Sequence, residues 1–333
     1  MNTYILVVYL VVGAIIIFTA LVLFDIARTR GRIAQALSMS LFKVTPPAGS
    51  LTSDIQSEKD FMSLMERLYA TFTNLHAWGW NKFAYGEPYM SLELVVPQVG
   101  EEVNFLVSVP QSYGHYFEKQ VKSLFPALQI EKIKDLNVFH PKGDVVGASL
   151  QLQKESIFPL QTYAKLPYDP LTKFIAVFSN LEREGEGAAI QILIRPSHKE
   201  RVRKKAEQLA RRLQYGSDNH STLVKPAQNN SPALEALVAK ASRPLFDTNI
   251  RIIVSSDDGA RSQQLMRLIT GVFMQFSNPN LNAFKIMPIQ SKSLEKFIFS
   301  FAYRLFDSKQ VIYLSNEELS SLYHFPLPTQ VAV

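Results

Sequence analysis

Tyr4 to Phe24 reads YILVVYLVVGAIIIFTALVLF, a run without a charged side chain. As a helix rising about 1.5 Å per residue it extends about 30 Å, the thickness of a bilayer's hydrocarbon core. Lipid offers no partner for a backbone N–H, so helix is the form open to a single span. Before the run stands only the α-amino group. After it come Arg28, Arg30 and Arg32, opposed by Asp25. The positive-inside rule then keeps the arginines in the cytoplasm and the N-terminus outside. A cleavable signal peptide would put its basic region first and its core would be shorter; the one A-x-A, at Ala34–Ala36, lies beyond the arginines. A soluble core helix is seldom apolar all round for this length. The reading is a single-pass anchor of the cell inner membrane over residues 1–33, followed by roughly 300 cytoplasmic residues, enough for two domains.

The chain has no cysteine, which excludes disulfides, thiolate zinc sites and a cysteine nucleophile. Its net charge of +6 suits an anionic membrane surface or nucleic acid, depending on where the charge sits.

Beyond the anchor the hydrophobic periodicity changes repeatedly. SMSLFKVT (38–45) alternates and stops at Pro46, as a strand does. Ser57 caps a helix carrying Phe61, Met65, Leu68 and Phe72 at helical spacing, which ends near 76–79. YMSLELVV (89–96) and VNFLVSV (103–109) form a hairpin across a turn at 98–102. An amphipathic helix over 113–125 and an alternating strand over 128–133 follow, so the order is β-α-β-β-α-β. The second half repeats it with strands at 148–152, 187–194, 250–254 and 284–289 and helices at 170–181 and 260–276. That order is the split ferredoxin-like one. The expected fold is therefore α+β: a transmembrane helix, a first ferredoxin-like unit over 34–140, and a second over 141–290 with a helical insertion at 197–244. A C-terminal segment, 291–333, opens with the aromatic stretch containing Phe297, Phe299, Phe301, Tyr303 and Phe306.

Catalytic signatures are missing from the pattern. Nothing matches G-x-x-x-x-G-K-[ST], H-E-x-x-H or G-x-S-x-G, and the histidines are scattered. Asp257-Asp258 reads as a helix cap. No enzyme, metal or cofactor is expected. The concentrated charge lies in the insertion, where Lys199, Arg201, Arg203, Lys204, Lys205, Arg211 and Arg212 face only Glu200 and Glu207. Val202, Ala206, Leu209 and Leu213 make its apolar stripe, spaced for a helix packed on a body. Its outer face has three readings: a solvated surface, contact with anionic lipid headgroups, or contact with a phosphate backbone. Without interleaved aromatics it is not a base-stacking surface.

Several stretches carry a resemblance: ALSMSLFKVTPP (36–47), VPQVGEEVNF (96–105), GEGAAIQILIRPSH (185–198), FDTNIRIIVSS (246–256) and LSNEELSSLYHFP (314–326), joined to an anchor with an arginine flank. In these the chain resembles the N-terminal region of membrane-anchored type IV secretion and conjugation ATPases of the coupling-protein-like class. In that class the last of these stretches lies just before the motor domain. The motor's nucleotide-binding lysine and Mg²⁺ residues have no counterpart among these 333 residues. The resemblance thus implies a non-catalytic platform of a DNA- or protein-translocating machine. It would position a cytoplasmic ATPase that is either a separate chain docking from about Gln310 onward or a continuation past Val333. Self-association is a further partner choice. The rivals are an inner-membrane assembly protein of a pilus or type II secretion system, and a membrane-tethered DNA-binding protein.

Overall fold

The computed structural model describes residues 2–46, 58–97, 103–140, 143–181, 185–215 and 232–327. The Ser57 cap, the turn at 98–102 and the polar loop of the insertion lie outside them. The chain is α+β. An unbroken helix of 36 residues, α1 (Asn2–Leu37), leads into β1 (Met39–Thr45), α2 (Glu58–Thr71), α3 (Gly79–Tyr85), β2 (Met90–Val96), β3 (Asn104–Pro110), α4 (Gly114–Leu124) and β4 (Gln129–Lys132). Then come β5 (Asp144–Leu152), α5 (Pro170–Phe178), β6 (Gly187–Pro196), α6 (Lys199–Tyr215), α7 (Pro232–Ala241), β7 (Leu245–Ser256), α8 (Gly259–Val272) and β8 (Phe284–Pro288). The described chain ends with α9 (Ser291–Ala302), β9 (Ile312–Ser315) and α10 (Asn316–Leu322).

The nine strands among the described residues form one antiparallel sheet, in the order β4-β1-β3-β2-β6-β7-β5-β8, with β9 on the first residues of β7. The joint is β2 against β6, from Met90 opposite Ile194 to Val96 opposite Ala188. β2 is buried along its whole length and β6 from Gly187 to Ile194, so each hides from water the edge that its own half leaves open. The second half also starts earlier than alternation suggests. Val145 to Gly147 already pair with Ser255 to Ile253, which extends the strand four residues before Ala148.

One face is apolar. Met90, Leu92, Leu94 and Val96 from β2, the alternate isoleucines 190, 192 and 194 from β6, and Phe246, Ile250, Ile252 and Val254 from β7 meet α2, α4, α5, α8 and α10 in the main core. α5, α8 and α10 start where polar side chains satisfy their first N–H groups. Asp169 caps α5 by accepting from Leu171 N at 2.8 Å, with Pro170 in the first turn, and Asp258 caps α8 by accepting from Ala260 N at 3.0 Å. Ser315 and Glu318 close a reciprocal capping box on α10.

The C-terminal segment belongs to this core. Ile312, Leu314, Leu319, Leu322, Tyr323, Phe325 and Leu327 are all buried in it. Tyr69 donates its hydroxyl to Tyr323 O at 2.7 Å, and Tyr323 donates to Leu106 O at 3.1 Å. The aromatic stretch before it divides. Phe301 is buried, Phe299 and Tyr303 are exposed and lie 4.6 Å apart, and Phe306 packs on Tyr89 at 5.7 Å.

Among the described residues one helical stretch, Val7–Leu37, is long and apolar enough to cross a membrane. At about 1.5 Å per residue the whole of α1 is about 54 Å long, so it outruns the hydrocarbon core and its last turns reach the body. There it meets α3, an element the sequence reading did not anticipate. Gly31 makes the contact: a Cβ at that position would stand 1.8 Å from Ala84 O. Gln35 donates to Glu87 O at 3.2 Å, and Phe24 meets the Phe83 ring at 5.2 Å.

Candidate functional site

Two places gather polar chemistry, one at the anchored end and one on the second face of the sheet. At the anchored end Arg28 and Arg30 are exposed on α1, and Arg32 is half-buried near Arg195 and Asp307. The basic helix α6 sits as its stripe demands. Val202, Ala206 and Leu209 are buried against Ile157, Leu237, Leu245 and Tyr313. The side chain of Leu213 lies outside the described residues.

The cations of α6 all point outward. Arg203 pairs with Glu200 at 2.8 Å and with Glu207 at 3.7 Å, Arg212 with Glu155 at 3.4 Å, and Lys205 lies over the Tyr313 ring at 5.1 Å. Lys199, Arg201, Lys204 and Arg211 are exposed and have no ion-pair partner among the described residues. Such exposed pairs contribute little to stability.

Glu87 draws the arginine flank and the basic helix together. Its carboxylate takes Lys82 at 2.5 Å, Ala77 N at 3.3 Å and His198, one residue before α6, at 3.7 Å, while its backbone carbonyl takes Gln35 of α1. Burial pushes the Glu87 carboxyl up. The Lys82 hydrogen bond and charge, with the Ala77 N–H, outweigh that and hold it below its ordinary value. The charged carboxylate is thus the stable form at neutral pH, and it ties α1, α3 and the start of α6 at one point.

The second face of the sheet carries a row of polar residues where β2, β6, β7 and β5 cross. Glu93, Gln191, Arg251 and Ser149 stand directly opposite one another in register, all buried. The C-terminal end of α9 and the segment after β4 cover them. Arg304 donates through Nε to Glu93 Oε1 at 2.7 Å and through Nη2 to Asp135 Oδ1 at 2.7 Å. Gln191 donates to Glu93 at 3.0 Å and to Phe301 O at 3.0 Å. Arg251 donates to Ser300 O at 2.9 Å and to Leu305 O. Arg304 has φ of 52°, a left-handed conformation that costs a non-glycine residue about 1–2 kcal/mol. Its two carboxylate partners offset this.

Burial pushes Arg304 down, but Glu93 and Asp135 hold its charge and raise it well above the ordinary range. Arg251, buried in the sheet, is pushed down to about 10 by desolvation. A cavity of about 260 Å³ opens beside this row, between Asp135–Phe139 and Phe301–Arg304. The charged groups on its wall are already engaged with one another, so the row clamps α9 and the inter-half segment onto the sheet.

Two further buried pairs lock the C-terminal segment. Lys240 reaches Glu318 at 2.9 Å and Ser156 O at 2.7 Å, with both charged side chains almost fully enclosed. Burial lowers the Lys240 pKa against the pull of Glu318. His324 holds Asp169 at 3.1 Å and Ser320 O at 3.1 Å. No group of metal-ligating side chains occurs among the described residues.

The sequence pointed to α6 and the arginine flank, and both lie on the surface as charged faces. It did not point to Glu93, Gln191, Arg251 or Arg304. Their signal was present as polar residues inside otherwise apolar strands, in SLELVV, AAIQILI and IRIIV. The missed helix α3 also left a trace, Trp80 and Phe83 at helical spacing. Among curated proteins none matches this chain. A family match does cover residues 45–332, from the end of β1 past α10, and the chain therefore belongs to the DUF8128 family, a domain of unknown function.

Proposed function

We propose that this chain is a non-catalytic platform held at the cytoplasmic face of the inner membrane, N-terminus outside, where it positions the ATPase of a type IV secretion- or conjugation-like machine. The observation that carries the reading is the grip on α1. The helix runs without a break from its apolar stretch into the body and is held there through Gly31, Gln35 and Phe24. A platform needs this, because a flexible tether would leave its orientation to the bilayer undefined. Arg28, Arg30 and Arg32 after the span favour the cytoplasmic side.

Each half is a ferredoxin-like unit in this reading. In its favour stand the order fourth-first-third-second among the strands of each half and the two helices of each half on one face. The buried charges are engaged in holding elements together, which suits a rigid scaffold.

A reporter fused after Val333 tests the orientation. Activity confined to the cytoplasm is the expected result. Activity confined to the periplasm would overturn it and favour the pilus or type II secretion assembly reading. Docking is tested by chemical cross-linking in native membranes, with an ATPase carrying G-x-x-x-x-G-K-[ST] expected among the linked partners. Its absence from a membrane that contains such ATPases would remove the docking claim. The deletion of residues 310–333 is not a usable test, since it would remove core residues.

A second reading, direct contact of α6 with nucleic acid, is favoured by the exposed cations Lys199, Arg201, Lys204 and Arg211. Changing Lys204, Lys205 and Arg211 to Ala should then flatten the salt dependence of DNA binding. An unchanged salt slope removes DNA from the partners.

A further inference from the structure

The short helix α3 carries an exposed aromatic face. Trp78 is 82% exposed, Trp80 75% and Phe83 52%. Trp80 stacks on Phe83 at 5.2 Å, and Phe83 meets Phe24 at the same distance. Large aromatic side chains left in water at this density usually mark a binding surface.

The packing against α1 says what covers it. Phe83 lies by Phe24, Ala84 by Gly31, and Glu87 by Gln35. The two series rise together, so lower numbers on α3 lie toward lower numbers on α1. Phe24 is the last residue of the apolar run. Trp80, stacked on Phe83, therefore lies beside the level where that run ends, and Trp78 stands two residues before it. Indole rings are enriched at this depth of a bilayer, with an apolar body among the upper acyl chains and an N–H toward the headgroups. The same end of the molecule carries exposed cations suited to an anionic leaflet, Arg28 and Arg30 on the turns of α1 that follow the apolar run.

We propose that Trp78, Trp80 and Phe83 seat α3 in the headgroup region of the inner leaflet, giving the body a second, interfacial hold on the lipid beside its span. This rests on reading Tyr4–Phe24 as a membrane span, and it adds that the body lies against the bilayer instead of standing off on a stalk.

The chain has two tryptophans, both in this segment, so intrinsic indole fluorescence reports on nothing else. The full chain is reconstituted into phosphatidylcholine–phosphatidylglycerol vesicles, washed with alkaline carbonate to establish integration, and measured with lipids brominated at shallow or deep acyl positions. Single Trp78→Phe and Trp80→Phe variants assign the signal. The expected result is blue-shifted emission, quenched more by shallow than by deep bromines and little by aqueous iodide. An integrated protein with water-like emission open to iodide overturns the proposal while the span stands. So does blue-shifted emission untouched by either bromolipid, which would mean that a second copy or another protein covers the patch. Removal of the chain by carbonate overturns both the span and the interfacial helix.

Discussion

Two adjacent rows of the sheet show how differently its faces are held. On one, Val107, Leu92, Ile192, Ile250, Leu150 and Ile286 stand opposite one another across β3, β2, β6, β7, β5 and β8, under a layer of helices. One residue further along each central strand, on the other face, the row reads Glu93, Gln191, Arg251 and Ser149. The first row holds by area and fit, so each side chain contributes in proportion to what it fills. The second holds by pairing, where the loss of one member leaves its partner charged and buried. The apolar face makes the fold stable. On the second face the polar row works beside a smaller apolar cluster, in which Leu41, Val95, Leu106, Ala189 and Ile253 meet Phe301 of α9 and Val138 of the inter-half segment.

The sharpest way to break this comparison is Arg304→Ala. It strands Glu93 and should cost about 3–5 kcal/mol, read by chemical denaturation in micelles. The double change Glu93→Leu with Arg304→Leu should cost less than that single change, because no buried charge is then left unpaired and Asp135, the remaining partner, is exposed to water. A double variant as unstable as the single one would mean that packing, not pairing, governs this face. On the apolar row, Ile250→Ala should cost about 2–5 kcal/mol with no partner able to rescue it. A loss well below that range would show that this face can collapse around a void.

High pH probes both faces at once. Burial raises the pKa of Tyr69, Tyr163 and Tyr323, and brings Tyr89 from 10.0 to about 12. Groups whose folded pKa is raised stabilise fully below the unfolded value, and that contribution is lost as pH climbs through the folded one. Stability should therefore fall above pH about 10, by on the order of 2–3 kcal/mol from Tyr89 alone once both states have titrated. Lys240, Arg251 and Arg32, whose pKa values burial lowers, act with the opposite sign and offset part of this fall. Thermal melts from neutral pH to pH about 11, followed by tyrosinate absorbance, check the direction.

At the anchored end Gly31→Ala should cost about 1–3 kcal/mol by forcing α3 off α1, with a change in tryptophan emission as its readout. The smallest effect belongs to α6. Changing Lys204, Lys205 and Arg211 to Ala should leave stability within about 0.5 kcal/mol per site, whatever it does to binding. A large loss there would show that these cations hold the fold.

Much of the architecture was legible because it obeys local rules. The apolar run from Tyr4, the stripe of α6 and the Asp258 cap each follow from a few neighbouring residues. The joining of the halves was not legible. Nothing local in YMSLELVV or GAAIQILI says that β2 and β6 choose each other, since an edge strand's partner is set by what the other strands have already taken. The role of Arg304 was hidden for a related reason, because its partners Glu93 and Asp135 are far off in sequence. The helix α3 was hidden by its brevity, since seven residues show too little of a period to count.

The joint between the halves has a further consequence. The strand order is a palindrome about it, and β2 and β6 are equivalent strands meeting antiparallel, as two copies do across a dyad. Glu93 and Gln191 face each other at the middle of that pairing, on the pseudo-twofold axis itself. A true homodimer must present the same residue twice there, and two buried glutamates would repel. Covalent fusion lifts that obligation. One half keeps the acid that holds Arg304, and the other supplies an amide that donates to it, so the axis carries a polarity that no assembly of identical subunits could have.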